Sequence, residues 1–302
     1  MPKEPVIFSA ISFNLSDGLE TVRGRDELRR ALYAQQSRSQ NVLFMNFPEA
    51  YRPGTVEESD LVRFSWYLGH VAISTPYETA DGRPDDHVLL TTYDNQLVSQ
   101  ETPVTTTLRL ATRNAIQIAV NNELVGGRLK FIGGHLDDRR EVSSHDSDPT
   151  ETSRLSQVRA LLGHINPEDK TILAFDFNAL HKASAAASLA PYLGRFALTR
   201  HPESIQPDPT TGRRSVWAKM YDVSNMAIGT TMQEITAAGF SDADKRSLFP
   251  LSTVKNPAGR FGPAIDHILS STGLKAIDFR TFRGPSDHRG IAATFEVEPT
   301  ID

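Results

Sequence analysis

Residues 171–180, Thr-Ile-Leu-Ala-Phe-Asp-Phe-Asn-Ala-Leu, constrain the fold more than any other stretch of the chain. An apolar run of this length reads as a buried strand. It ends abruptly on Asp176-Phe177-Asn178, although interiors do not normally accept an acid and an amide at a strand end. Residues two apart in an extended segment point the same way. Asp176 and Asn178 therefore face one spot, while Phe177 turns back into the core. A carboxylate and an amide converging on a point suit a divalent cation or an activated water. An acid capping a following helix would look the same, so the rest of the chain must decide.

The composition narrows the classes. The chain has 302 residues, 39% hydrophobic and 23% charged, as an ordinary globular protein does. It contains no Cys, which excludes disulfides, thiolate metal sites and a Cys nucleophile. The first twenty residues show neither a long apolar segment behind a basic start nor a small-residue cleavage pattern, so the expected location is cytoplasmic, with secretion of a processed form left open. No apolar run approaches the roughly 20 residues that span a bilayer, and no membrane insertion is expected. A net charge of −5 argues against general electrostatic attraction to nucleic acid but leaves room for a local basic groove.

Taken in order, residues 6–15 read as a strand, 25–37 as an amphipathic helix, and 41–47 as a second strand followed at once by Pro48-Glu49. Residues 56–68 suit a helix, with short strands near 70–74 and 87–93 separated by a polar loop over 75–86. Residues 104–112, 115–121 and 129–133 read as consecutive antiparallel strands, the last two joined across Gly126-Gly127. Asp148-Pro149-Thr150-Glu151 is a helix start, and that helix leads into the 171–180 strand. A helix over 181–193, a Pro-rich loop over 201–216 and a helix ending on Gly239 follow. Strands at 265–271, 274–282 and 291–297 close the chain. No linker or repeat divides it and no strict βαβ alternation runs through it. The expectation is one domain, residues 5–298, of mixed sheets covered by helices.

Polar residues break the strand ends repeatedly. Asn14, Glu49, His135, Asp176 with Asn178, Asp266 with His267, and Asp287-His288 all sit at such ends. Independent caps explain this set poorly; a cleft where the strand ends meet explains it well. In order, the motifs SFN, PEAY, GGHLDD, FDFN, IDHIL and SDHRGI resemble those of the endonuclease/exonuclease/phosphatase superfamily, whose familiar forms are FN, QE, THL, GDFN, IDHI and SDHRP. The resemblance spans nearly the whole chain. It implies a four-layer αββα sandwich of two mixed β-sheets flanked by helices, with one Mg²⁺- or Mn²⁺-dependent active site. GGH, AFDFN and PEA depart from the familiar forms beside the catalytic atoms rather than at them.

Under that resemblance Asn14, Glu49 and Asp287 are the expected metal ligands, a hard oxygen set. Asp176 would position and deprotonate the attacking water, and Asn178 would help to orient it or bind substrate. His288 would contact the scissile phosphate, with Asp266 fixing its tautomer and favouring its cation. His135 would either donate a hydrogen bond to a phosphate oxygen or protonate the leaving group. Arg113 is either a bidentate phosphate clamp or a solvated strand-edge side chain.

Asp86, loosely aligned with an acid that some relatives pair with the first His, reads as a surface acid. His267 is expected to face away from Asp266 as a structural side chain. Asp137, Asp138, His145 and Asp146 read as loop residues. Arg213, Arg214 and Trp217 suit either a nucleic-acid contact or a solvated loop. The leading expectation is a monomeric metal-dependent phosphodiesterase acting on DNA or RNA, as endonuclease or exonuclease. A phosphomonoesterase or lipid phosphodiesterase of inositol phosphate or sphingomyelin type is the alternative. A catalytically silent binding protein is the remote third.

Overall fold

The computed structural model describes residues 5–15, 22–38, 41–49, 70–78, 84–93, 104–110, 113–122, 127–136, 149–179, 230–245, 253 and 264–297. In chain order these form β1 (Val6–Ser12), α1 (Val22–Gln36), β2 (Val42–Phe47), β3 (His70–Glu78), β4 (Pro84–Tyr93), β5 (Val104–Leu110), β6 (Arg113–Asn122) and β7 (Gly127–His135). They continue with α2 (Pro149–Gly163), β8 (Lys170–Asp176), α3 (Thr231–Ala237), β9 (Ser241–Asp242), β10 (Asp266–Ser270), β11 (Lys275–Phe282) and β12 (Gly290–Val297). The expected helices over 56–68 and 181–193 and the loop over 201–216 lie outside the described residues, as do Asp137, Asp138, His145, Asp146, Arg213, Arg214 and Trp217.

Two six-stranded mixed sheets result, ordered β11-β12-β1-β2-β4-β3 and β5-β6-β7-β8-β10-β9. Each has one parallel pair at its centre, β1 with β2 and β7 with β8, and antiparallel neighbours outside. A parallel pair needs a crossover, and a helix supplies one in each case: α1 between β1 and β2, α2 between β7 and β8. The sequence shows no regular βαβ alternation, yet one such unit anchors each sheet. Its parallel strands bring the ends of β1 and β2 to one edge, and those of β7 and β8 likewise. The antiparallel β10 and β12 then begin where β8 and β1 finish.

Alternation along the strands divides the core. Phe8, Ala10, Phe44, Phe131, Ile172, Ala174 and Ile268 pack in one buried cluster between the sheets. Phe44 and Phe131 stack there across the two sheets with ring centroids 4.6 Å apart. The other parity, Ile11, Phe13, Met45 and Phe47, meets Leu28 and Leu32 of α1. On the far side Ile132, Leu173 and Phe175 meet Val158 and Leu161 of α2 and Met232 and Ile235 of α3. Helix, sheet, sheet and helix therefore form the four expected layers. Burying a side chain such as Phe44 is worth roughly 1.5–3 kcal/mol.

Two local differences from the sequence expectation have simple causes. The polar stretch over 75–86 is largely hairpin arm: β3 runs to Glu78 and β4 starts at Pro84. A register shift between Thr75 and Tyr77 accommodates Pro76, which has no N–H to give a ladder. Strand β9 has two residues, too few for a periodic signal. At the close of α3, Gly239 takes φ +88°, the left-handed cap expected of it. None of the described helices is long and apolar enough to cross a membrane.

Candidate active site

Asn14 lies just past β1 and Glu49 just past β2; His135 closes β7, Asp176 closes β8 and Asp266 opens β10. The even-numbered residues Ile172 and Ala174 face the other sheet, so Asp176 follows them to the rim between the sheets. Asp266 is its direct register partner, which sets two buried carboxylates side by side.

One amide ties the sheets together at this rim. Asn14 Nδ2 donates to Glu49 Oε1 at 2.9 Å and to Asp176 Oδ2 at 2.9 Å. The other oxygen of Asp176, Oδ1, accepts the backbone N–H of Asn178 at 3.0 Å. His135 Nε2 stands 3.7 Å from both Glu49 Oε1 and Asp176 Oδ2. His288 Nδ1 donates to Asp266 Oδ2 at 2.8 Å and lies 3.8 Å from Asp176 Oδ2. Glu49 and Asn178 have φ of 51° and 48°, two of the three non-glycine residues with positive φ among those described. Such backbone costs about 1–3 kcal/mol and tends to mark functional positions.

Burial sets the electrostatics. Asp176 is held up at about 8, first by burial and then by the charge of Asp266, against the opposing pull of His288 and the Asn14 amide. Burial works to lower His288, but Asp266, Asp176 and Asp287 outweigh it and bring it to about 10. His135 is pushed well below 6.5, by burial first, then by the Arg113 guanidinium and by His288. Near neutral pH one histidine is a cation and the other is not.

Asn14, Glu49, His135, Asp176, Asn178, Asp266 and His288 thus come together. Two other expected residues stand differently. Arg113 is 2% exposed and donates from Nη1 to His135 Nδ1 at 3.2 Å, so it is not a solvated strand-edge side chain. Asp287 is exposed, and the Ser286 hydroxyl donates to its Oδ1 at 3.4 Å. Asp86 falls within β4. His267 faces the opposite side of β10, as alternation predicts, where its ring lies against Phe177 and its Nδ1 donates to Asp242 Oδ2 at 2.6 Å.

Three further residues support the site without being sequence candidates for it, Ser286 from within the SDHRGI motif. Thr253 Oγ1 accepts the backbone N–H groups of Ile265 and Asp266, and its carbonyl accepts that of Arg289, bracketing the Asp266–His288 pair. Ser286 Oγ accepts the backbone N–H of His288 at 3.0 Å. Asn46 on β2 donates to Ser12 Oγ and, across the sheets, to the Ala174 carbonyl at 2.8 Å.

The donor set suits a hard divalent cation. Carboxylate oxygens of Glu49, Asp176 and Asp266 crowd the rim, and ligand atoms of Glu49, His135 and Asp176, and of Asp176, Asp266 and His288, lie within 4.8 Å of one another. Asp266 Oδ1 is buried and accepts no hydrogen bond among the described residues. Like charges packed this way call for a proton or a cation between them.

No protein-family model matches the sequence, and no curated protein matches it significantly. Solved structures do match in fold. An endonuclease/exonuclease/phosphatase family protein from Bacteroides thetaiotaomicron superposes with a TM-score of 0.56 at 14% identity, over 98% of this chain and 99% of that one. A 3'-5' exonuclease from Neisseria meningitidis gives 0.57 at 15% identity, over 95% and 99%. The inositol polyphosphate 5-phosphatase domain of SPSynaptojanin, in complex with inositol (1,4)-bisphosphate and calcium ion, gives 0.54 at 16% identity, over 97% and 84%.

Proposed function

We propose that this chain, which has the fold of the endonuclease/exonuclease/phosphatase superfamily, is a divalent-metal-dependent phosphoester hydrolase, and specifically a nuclease that cleaves DNA or RNA phosphodiesters by in-line attack of water. The observation that carries the reading is the convergence of His135 and His288 on the buried carboxylates of Asp176 and Asp266 at one rim, with Glu49 beside them. A phosphodiester is an anion that resists water, so its hydrolysis needs charge neutralised, water oriented and the leaving oxygen stabilised.

Glu49 and the Asn14 carbonyl would hold Mg²⁺ or Mn²⁺, with Asp287 joining from the exposed rim. A bound ion of that kind supplies charge neutralisation at the phosphate oxygens and the leaving group. Asp176, in the ionised form that a cation beside it favours, takes the proton from water. Asn178, fixed by its turn onto Asp176, orients that water. His288, kept cationic by Asp266, binds the phosphate as a hydrogen-bonded charge. The protein would work as a single-domain monomer, residues 5–298, in the cytoplasm.

The inositol phosphatase of like fold supports a second reading, a phosphomonoesterase or lipid phosphodiesterase. A substrate panel separates the two: plasmid, abasic duplex, single-stranded RNA, a phosphoinositide and a simple diester, each with Mg²⁺, Mn²⁺ or EDTA. The expected result is cleavage of nucleic acid only with metal, abolished by Asp176→Ala in a folded protein. Full activity in EDTA, or in that variant, would falsify the metal-hydrolase reading.

A further inference from the structure

His135 meets two N–H donors and has a lone pair for one. Arg113 Nη1 lies 3.2 Å from Nδ1, and Asn178 Nδ2 lies 3.0 Å from Nε2. A neutral imidazole carries one N–H and one lone pair. A guanidinium keeps all its protons in a protein, so a ring N–H turned toward Arg113 would set donor against donor beside a positive charge. The Asn178 amide has another acceptor, the Leu136 carbonyl at 3.1 Å. The lone pair therefore belongs at Nδ1.

We propose that Arg113 is a positioning residue: it holds His135 as the Nε2–H tautomer, so that a fixed hydrogen-bond donor faces the substrate's phosphoester oxygen. The inference rests on the phosphoester-hydrolase reading and adds to it a residue and a choice of role. Nε2–H points toward the space bordered by Glu49 Oε1 and Asp176 Oδ2, each 3.7 Å away. The Asn178 amide stands beside it, and one anionic oxygen can receive both N–H groups. A ring held this way donates to a non-bridging oxygen and has no second proton for a leaving group. That decides between the two roles the sequence leaves open for His135. It also accounts for a buried Arg113 at the start of β6, just beyond the Ile116–Gly133 register pair that leads to His135.

Nitrogen NMR of the full chain labelled with ¹⁵N in its histidine rings tests this directly, with His135 assigned by the signal lost in His135→Gln. The expected wild-type spectrum shows His135 protonated at Nε2 only. Arg113→Met should move it to Nδ1–H or a mixture, and Arg113→Lys should restore it in part. Turnover by Arg113→Met should fall about 10- to 100-fold through kcat, less than or equal to the roughly 10²–10³-fold loss of an oxyanion donor, with KM and the salt dependence of substrate binding nearly unchanged. A wild-type ring protonated at Nδ1, an unaltered tautomer in folded Arg113→Met, or a change confined to KM and salt slope would each overturn the assignment. Should Arg113→Met fail to fold, the wild-type and Arg113→Lys spectra still decide it. The spectra need no turnover, so failure of the tautomer assignment is distinguishable from failure of the hydrolase reading.

Discussion

His267 and His288 stand on opposite sides of β10 and carry the same sign of pH dependence. Burial works to discharge both rings, and in both the neighbouring acids' charges and the hydrogen bonds to the ring together outweigh it. For His267 the geometry agrees: Nδ1 donates to Asp242 and Nε2 donates to the Ala179 carbonyl at 3.2 Å, which requires both ring hydrogens. A folded-state value raised above the ordinary 6.5 means the contribution is full below that pH and is lost as pH rises through the raised value. Urea midpoints should therefore decline from about pH 6.5 upward. Asp242→Asn should be less stable at pH 6 and show a flatter decline. A variant with the wild-type slope would show that His267 is not the group responsible. His267 was legible only as a residue facing away from Asp266; its partner lies on a two-residue strand that no periodicity announces. Asp176, Asn178 and Glu49 were legible because a polar residue closing an apolar run costs stability unless it serves a site or caps a helix. Arg113 was visible as a candidate but not in its placement, since nothing local says which way a strand's first residue turns.

At the scale of elements, β7 and β8 exchange volume. Gly134 stands where the familiar motif has a small polar residue, and Phe175 stands where it has glycine. The sequence shows these as separate departures, but the parallel register makes Gly134 and Phe175 direct neighbours. A Cβ on Gly134 would overlap the Phe175 ring, which also stacks on Phe177 at 5.0 Å between centroids. Gly134→Thr should cost about 1–3 kcal/mol by overpacking, and Phe175→Gly at least about 3–5 kcal/mol by analogy with Phe→Ala. Combined, they should cost less than their sum, as contacting sites do; strict additivity in urea unfolding would show that the neighbours do not compensate. Pair registers of this kind are set by sheet topology and cannot be read from either strand alone. The same applies to Thr253, an isolated threonine until β10 and β12 are in place around it.

Across the whole molecule, mixed sheets covered by helices were legible from a dozen strand-length runs with interspersed helices, and the four-layer αββα arrangement from the resemblance of the ordered motifs. Less legible was how the halves join: one βαβ unit per sheet, with the rim cross-tied by the Asn14 and Asn46 amides. Metal removal should expose the electrostatic cost of that rim. Asp176 folded holds its proton up to about 8, against an ordinary value of 3.8, so the cation-free protein loses stability as pH rises across that interval. A cation held at Glu49, beside Asp176, favours loss of that proton, so the thermal stabilisation by Mg²⁺ should be larger at pH 8 than at pH 5. Equal shifts at both pH values would mean the ion binds away from this carboxylate.

Because Glu49 comes from one sheet and Asp176 from the other, the reaction centre depends on how the two slabs are seated as well as on each slab being intact. A slip of one residue along a strand is about 3.3 Å, enough to separate partners now 2.9 Å from a shared amide. Mild denaturant that loosens the aromatic seam of Phe44 and Phe131 should thus silence hydrolysis while the far-ultraviolet spectrum still reports full strand content.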